Sequence, residues 1–371
     1  MNDRKPGEYF LLAATLFLLI DIQCFPNDQT RQINNSALPK YGEIKLDLKE
    51  EIRIGSENDE NSLFNRVRGV AVDRQDNIYI NDMSNYRIQK FDRNGKYLQT
   101  IGRFGQGPGE LQMPFDIRLE NITQNIFIQD YGPRIVVFTS QGALLRQFIT
   151  SGGIAEDFVP NADGSIWAIR WTHANNHELC KIDENGKDLR TLSSFPYTAI
   201  RTVTDKVVHI YTSGYELGMY IAEIDEQSII YGYSGEYSLH VIDRNGQPLY
   251  NIVKDEPPPR FTADKKNGFK KSSIPSKKPY FFKIITDSEG RIYVQRNMNT
   301  KTILGRGPSE PTEKEVDIFS KKGVFLYRSK LPGNTRLIKD GFLYNYQIDE
   351  DTGLEVVNRF KIINWSRIQT E

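Results

Sequence analysis

The run WTHANNHELC, residues 171–180, holds two histidines, His173 and His177, with Glu178 and Cys180 close behind. Imidazole, carboxylate and thiolate are ligands that zinc accepts, and on a helix an H-x3-H spacing would set both rings on one face. The flanking residues favour a hairpin with Asn175-Asn176 as its turn, where the two rings could still meet across the strands. Two readings follow, a metal pair and an exposed polar turn, and the turn is preferred. Cys180 stands beside Leu179 and Ile182 on a strand-like run and is expected to be a buried thiol.

A second group is electrostatic. KDEPPPRFTADKKNGFKKSSIPSKKPYFFK, residues 254–283, carries nine basic residues against three acids, with Lys265, Lys266, Lys270, Lys271, Lys277 and Lys278 as its core. Proline and polar residues make it a poor strand, and a short helix is expected after Thr262. Displayed ammonium groups there would attract an acidic protein, an anionic polysaccharide or a lipid headgroup; a solvated connection is the plainer alternative. The rest of the chain supplies no such field, because 48 basic and 48 acidic residues cancel over 371. That balance and the sparse aromatic interleaving argue against nucleic acid as a partner. The sequence has no Gly-x-Ser-x-Gly elbow and no His-Glu-x-x-His, so no catalytic residue is assigned.

A third group concerns address. Arg4 and Lys5 precede an apolar stretch from Phe10 to Ile20, closed by Asp21. Its length suits a signal-peptide core and falls short of a membrane span. Cys24 follows, and its acylation would anchor the chain, although Asp21, Ile22 and Gln23 suit lipoprotein processing poorly. Cleavage with release, or an uncleaved anchor, are the alternatives, and every variant exports the chain to the cell envelope, in the periplasm or at the surface. Residues 25–41 are polar and aperiodic and are expected to be a flexible tether. Two cysteines in all make a disulfide framework improbable.

The elements that must position these groups are strands. Beyond residue 42 the chain has short alternating apolar runs closed by Asn-Gly or similar pairs, the pattern of an all-β fold. GVAVDRQDNIYINDMSNYRIQKFDRNGKYLQTIG at 69–102 reads strand, turn, strand, turn, strand, Asn-Gly turn, strand. Copies follow at 116–149, 157–192, 220–253 and, split in two, 282–296 with 316–331. A sixth, at 336–364, has only three strands, while YGEIKLDLKEEIRIG at 41–55 is a strand without a blade. A repeat of roughly 40 to 50 residues is that of propeller blades. Lending the first strand to the last blade would complete the sixth copy and remove open sheet edges. The expected architecture is therefore a six-bladed β-propeller over 42–365, with 254–283 as a basic insertion, 195–218 as an elaborated outer hairpin and 366–371 as a tail.

IGRFGQGPGELQMPFDI, residues 101–117, joins the first two copies. Its glycines permit positive φ and its prolines shed donors that no ladder could use, which suits a chain crossing from rim to axis. No Gly-Lys-Ser/Thr follows, which argues against a phosphate loop. The pattern of glycines, Gly-Pro-Gly-Glu and Met-Pro before a strand resembles the inter-blade link of NHL-repeat propellers, and ILGRGPSEPTEKEVDIF at 303–319 echoes it. The likeness extends over 42–365, in particular to bacterial exported six-bladed propellers of that type. It implies a non-catalytic binding or scaffold module for a protein or envelope ligand, acting as a monomer and without a cofactor. Some six-bladed relatives are lactonases or lyases that hold a metal in the central channel. That alternative, a divalent-metal-dependent hydrolase or lyase, would draw on Asp73, Asp116, Glu120, Asn161, Asp225 and Asp287 of the inner strands. The recurring aspartate of VAVD, EID and ITD falls where the strand turns, so capping that turn is its expected role.

Overall fold

Runs rich in Ile, Val, Phe and Tyr favour extended backbone and bury alternate faces. In the computed structural model they form six sheets of antiparallel strands, one for each repeat. The structure describes residues 30–172, 176–197, 200–204, 207–211, 217–259, 278–296 and 313–371. Blade 1 runs from the inner strand Val67–Val72 through Ile78–Asp82 and Arg87–Phe91 to the outer strand Tyr97–Ile101. The inner strands of blades 2 to 6 are Asp116–Leu119, Ile154–Pro160, Met219–Glu223, Phe281–Thr286 and Thr335–Lys339. Each lies against the inner strand of the next blade, and the sixth returns to the first, so the ring is closed around a central channel. Among the described residues no helix is long and apolar enough to cross a membrane.

The core is divided among the seams. Six apolar clusters lie one between each pair of neighbouring blades. Tyr79, Trp167 and Tyr293 are fully buried in three of them. Burial of this kind, at about 25 cal/mol per Å² of apolar surface, is the main force holding blade to blade.

Turns repeat as strictly as strands. Asp92, Asp183 and Asp243 each accept two backbone N–H bonds, across DRNGK, DENGK and DRNGQ, between the third and fourth strands. Asp73, Asp225 and Asp287 do the same between the first and second. In the second turn of blade 3's pair, Gly186 takes φ +90° with the Ile149 carbonyl of blade 2 directly against it, a place that only glycine fits. The link between blades 1 and 2 is folded back on itself: Glu110 accepts the Gly107 N–H at 2.9 Å and the Arg103 Nε–H at 3.0 Å, and Leu111 is buried. By contrast, Glu313–Phe319 is the third strand of blade 5. Residues 303–312, the remainder of the segment that echoes the inter-blade link, lie outside the described residues.

The N-terminal segment departs from the expected tether. Arg31–Asn35 is a strand that pairs parallel with the outer strand of blade 4, Pro248–Lys254. Lys40 and Tyr41 then donate N–H bonds to the Phe325 and Leu326 carbonyls of blade 5, both at 2.9 Å. Leu48–Ile54 pairs antiparallel with Glu355–Ile362 and is the fourth strand of blade 6. Residues 31–54 thus form a strap along three blades. The far end is likewise packed: Ile368 is buried, and its carbonyl accepts the Arg291 Nη1–H at 2.7 Å beneath Trp365. In the region read as an outer hairpin, Ile200–Thr204 and Val207–Tyr211 pair as a separate two-stranded sheet.

Candidate functional site

Where the inner strands approach the axis, each of them carries a charge. Arg68, Asp116, Arg118, Asp157, Glu223, Lys283 and Arg336 come from all six. The channel has two halves, of about 410 and 390 Å³. Asp157, Lys283 and Arg336 line both, so they mark the waist. The first half, at the starting ends of the inner strands, is walled by Arg68, Phe115, Asp116, Gln129, Tyr220 and Phe282. The second is walled largely by aliphatic groups such as Val72, Leu119 and Ile338, with Glu223 and Lys339 at its polar margin.

The pairing within this ring is uneven. Arg118 serves two acids: its Nη2 lies 2.9 Å from Asp116 Oδ2 and also pairs with Asp157. The approach to Asp116 Oδ2 is close but misaligned, so that oxygen accepts no hydrogen bond. Glu223 pairs with Arg244. Lys283 Nζ donates to the Thr335 carbonyl at 2.9 Å, and Arg336 Nη2 donates to the Tyr346 hydroxyl at 2.9 Å, leaving Arg336 Nε without a partner. Among the described residues neither of these cations, nor Arg68, has an ion-pair partner. Burial, then the charge of Arg336, pushes the Lys283 ammonium down to about 7. Burial raises Asp116 despite Arg118, and raises Glu223 despite Arg244. Each shift has the sign expected of a charge removed from water.

The sequence-selected groups have other fates. His177 is fully buried in blade 3, stacked on Tyr197 and edge-on to Trp171, and its Nδ1 accepts the Met219 N–H at 3.2 Å. Burial alone pushes it down to about 4. His177 is therefore no part of an exposed turn; His173 lies outside the described residues. Cys180 is a buried free thiol, pushed up by burial. Of the lysine cluster, Lys278 is buried, at 3% exposure, and burial lowers its pKa. That corrects the expectation that it is displayed. Lys265, Lys266, Lys270, Lys271 and Lys277 lie outside the described residues, as do Cys24 and the helix expected after Thr262. Of the channel acids, Asp73, Glu120, Asp225 and Asp287 hold turns, Asp225 and Asp287 while also lining the second half of the channel, and Asp116 lines the first half. Asn161 closes its own turn through Ser165. Among the described residues no three His, Cys, Asp or Glu side chains are grouped as a metal would require.

Arg118, Asp157, Lys283 and Arg336 escaped the reading of the sequence. Their signal is a charge inside an inner strand, as in DIRL, AEDFVP, FKIIT and TRLIK, where the repeat otherwise places apolar residues.

Fold and channel together define a six-bladed β-propeller. Residues 54–162 match the DUF5128 family model, described as a 6-bladed beta-propeller. Among solved structures, the chain resembles a member of the DUF4221 family from Bacteroides vulgatus, with 16% identity, TM-score 0.58, and coverage of 85% of this chain and 98% of that one. It also resembles a candidate exported protein from Bacteroides fragilis, with 11% identity, TM-score 0.56, and coverage of 89% and 99%. At such identities the likeness is one of fold. Protein brain tumor of Drosophila melanogaster is 29% identical over 87 residues, which are 23% of this chain and 8% of that protein.

Proposed function

We propose that this propeller is an exported, non-catalytic binding or scaffold module of the cell envelope, holding a protein or an envelope ligand. The observation that carries this reading is the chemistry of the channel. The described residues bring guanidinium and ammonium groups there, with two carboxylates bridged by Arg118. Those groups grip charge. Among the described residues neither half is lined by a histidine or a cysteine, so these bring no imidazole there as a base beside a nucleophile. Export rests on the basic and apolar N-terminal run, and attachment rests on Cys24. The test is to incubate the purified chain with envelope extract of its host, cross-link, and identify what is held by mass spectrometry. A defined partner or ligand recovered unchanged is the expected result. Conversion of the recovered ligand, together with a stoichiometric bound metal, would overturn the reading in favour of a channel hydrolase or lyase.

A further inference from the structure

Among the described residues three cations, Arg68, Lys283 and Arg336, line the first half of the channel without an ion-pair partner. The acids nearest to them are already engaged, because Arg118 spans Asp116 and Asp157. That triad carries one net negative charge, Arg68 and Arg336 add two positive ones, and Lys283, held down to about 7, adds part of a third near neutral pH. A buried charge without a partner is costly, and the cost falls when a ligand supplies the opposite sign. The same excess repels a divalent metal ion. What the waist lacks is an oxyanion, and the fork of Arg336, with its Nε–H unused, has the planar geometry that a carboxylate accepts.

A second requirement comes from Asp116. Its Oδ2 is enclosed and accepts no hydrogen bond, and it lines the same half of the channel as Arg68, Lys283 and Arg336. A ligand that filled the site with an oxyanion alone would leave that oxygen without a hydrogen bond. A hydroxyl or amine beside the oxyanion would satisfy it. The volume, about 410 Å³, suits a molecule of amino-acid or monosaccharide size, and Phe115, Tyr220 and Phe282 add apolar faces to a wall that is otherwise mostly polar. We propose that this half of the channel is a binding site for a small carboxylate that also carries a hydroxyl or amine donor. The proposal rests on the binding-module reading and names the chemistry of its ligand. Burial of Lys283, which holds its ammonium down, agrees with a site that is short of negative charge.

Calorimetric titration of the full chain near neutral pH tests it, with glucuronate, glutamate, acetate and glucose as the probes. Glucuronate or glutamate is expected to bind at least about tenfold more tightly than acetate, and glucose not at all. Lys283→Met and Arg68→Gln should each weaken that binding by about tenfold or more, and Lys283→Arg should largely restore it. Asp116→Asn should narrow the gap between the two-function acids and acetate. Preference between glucuronate and glutamate distinguishes a sugar acid from an amino acid as the source. Circular dichroism checks each fold, and half-buried Arg68 keeps the test available if Lys283 variants do not fold. No heat with either acid, equal binding of glucose, or unchanged affinity in both Lys283→Met and Arg68→Gln would overturn the site. A partner still held while no acid binds removes this site and spares the module reading; chemical turnover of a bound acid does the reverse.

Discussion

Asp317→Asn should destabilise the propeller by about 3 kcal/mol. Asp317 lies in the third strand of blade 5 with no exposed surface. Its Oδ2 accepts hydrogen bonds from Lys254 Nζ and the Tyr237 hydroxyl, both at 2.5 Å, and its Oδ1 accepts one from Arg328 Nε at 3.2 Å. Arg296 Nε stands 3.6 Å away. One carboxylate therefore stands against three cations at the seam between blades 4 and 5. Removing one member of a buried pair costs roughly 3–5 kcal/mol. Glu256 still pairs with Lys254 and Arg296, which places the value at the lower end. Equilibrium unfolding in urea is the assay; with a slope of about 3 kcal/mol per molar, the midpoint should fall by about 1 M. Lys254→Met added to Asp317→Asn should recover part of the loss, because the orphaned ammonium is then gone. An unmoved midpoint for the single variant, or additive losses in the double one, would refute the argument.

Gly186→Ala should lower stability by about 2 kcal/mol or more, because positive φ and the Ile149 carbonyl both oppose a Cβ, whereas Gly353→Ala, in open space, should cost about 1 kcal/mol; thermal melts compare them. His177 is held neutral in the fold, so as pH drops from about 6.5 towards 4 the unfolded chain takes up a proton that the folded one refuses, and stability should decline by on the order of 3 kcal/mol across that window. Denaturation at pH 7 and pH 4.5 should show the decline in wild type and much less of it in His177→Gln. Removing residues 30–40 should destabilise the ring through loss of the strand on blade 4, and removing 30–55 should do so more, through loss of the fourth strand of blade 6; equal melting temperatures for the two would contradict this. Cys24→Ser should move the protein from membrane to soluble fractions and abolish fatty-acid labelling, a shift that will not occur if Cys24 is never acylated.

The blades were legible because the repeats carry their own punctuation: in blades 1, 3 and 4 an aspartate that accepts two backbone N–H groups, then a glycine at positive φ. Those are local requirements, visible in one sequence. Arg31–Asn35 was not legible, since a parallel edge strand needs little apolar surface; Ile33 packs by Gly323, and Asn35 is fixed by its bond to the Gly323 carbonyl at 2.9 Å. Lys278 reads like its neighbours and is buried all the same. The charged waist was hidden for a related reason. Lys283 and Arg336 lie 53 positions apart in sequence, and only closure of the ring brings them to one axis. Asp116 was noticed as an acid, but apart from Arg118 its charged neighbours, Asp157 and Arg336, come from blades 3 and 6.

The strap also sets an order of events. Glu51 meets Arg359 across 308 residues of chain. Synthesis delivers residues 31–54 before any blade exists, and their partners in blades 4, 5 and 6 arrive late. Until then those backbone groups have only water to bond, and blade 6 lacks a quarter of its sheet. Contacts of such long range are slow to form, and open strand edges invite pairing with other chains in the interval. Cooperative closure is thus deferred to the end of the chain, and a product truncated before residue 355 would be left with an unsealed ring and an unmatched strand, the combination most prone to aggregate or to be degraded.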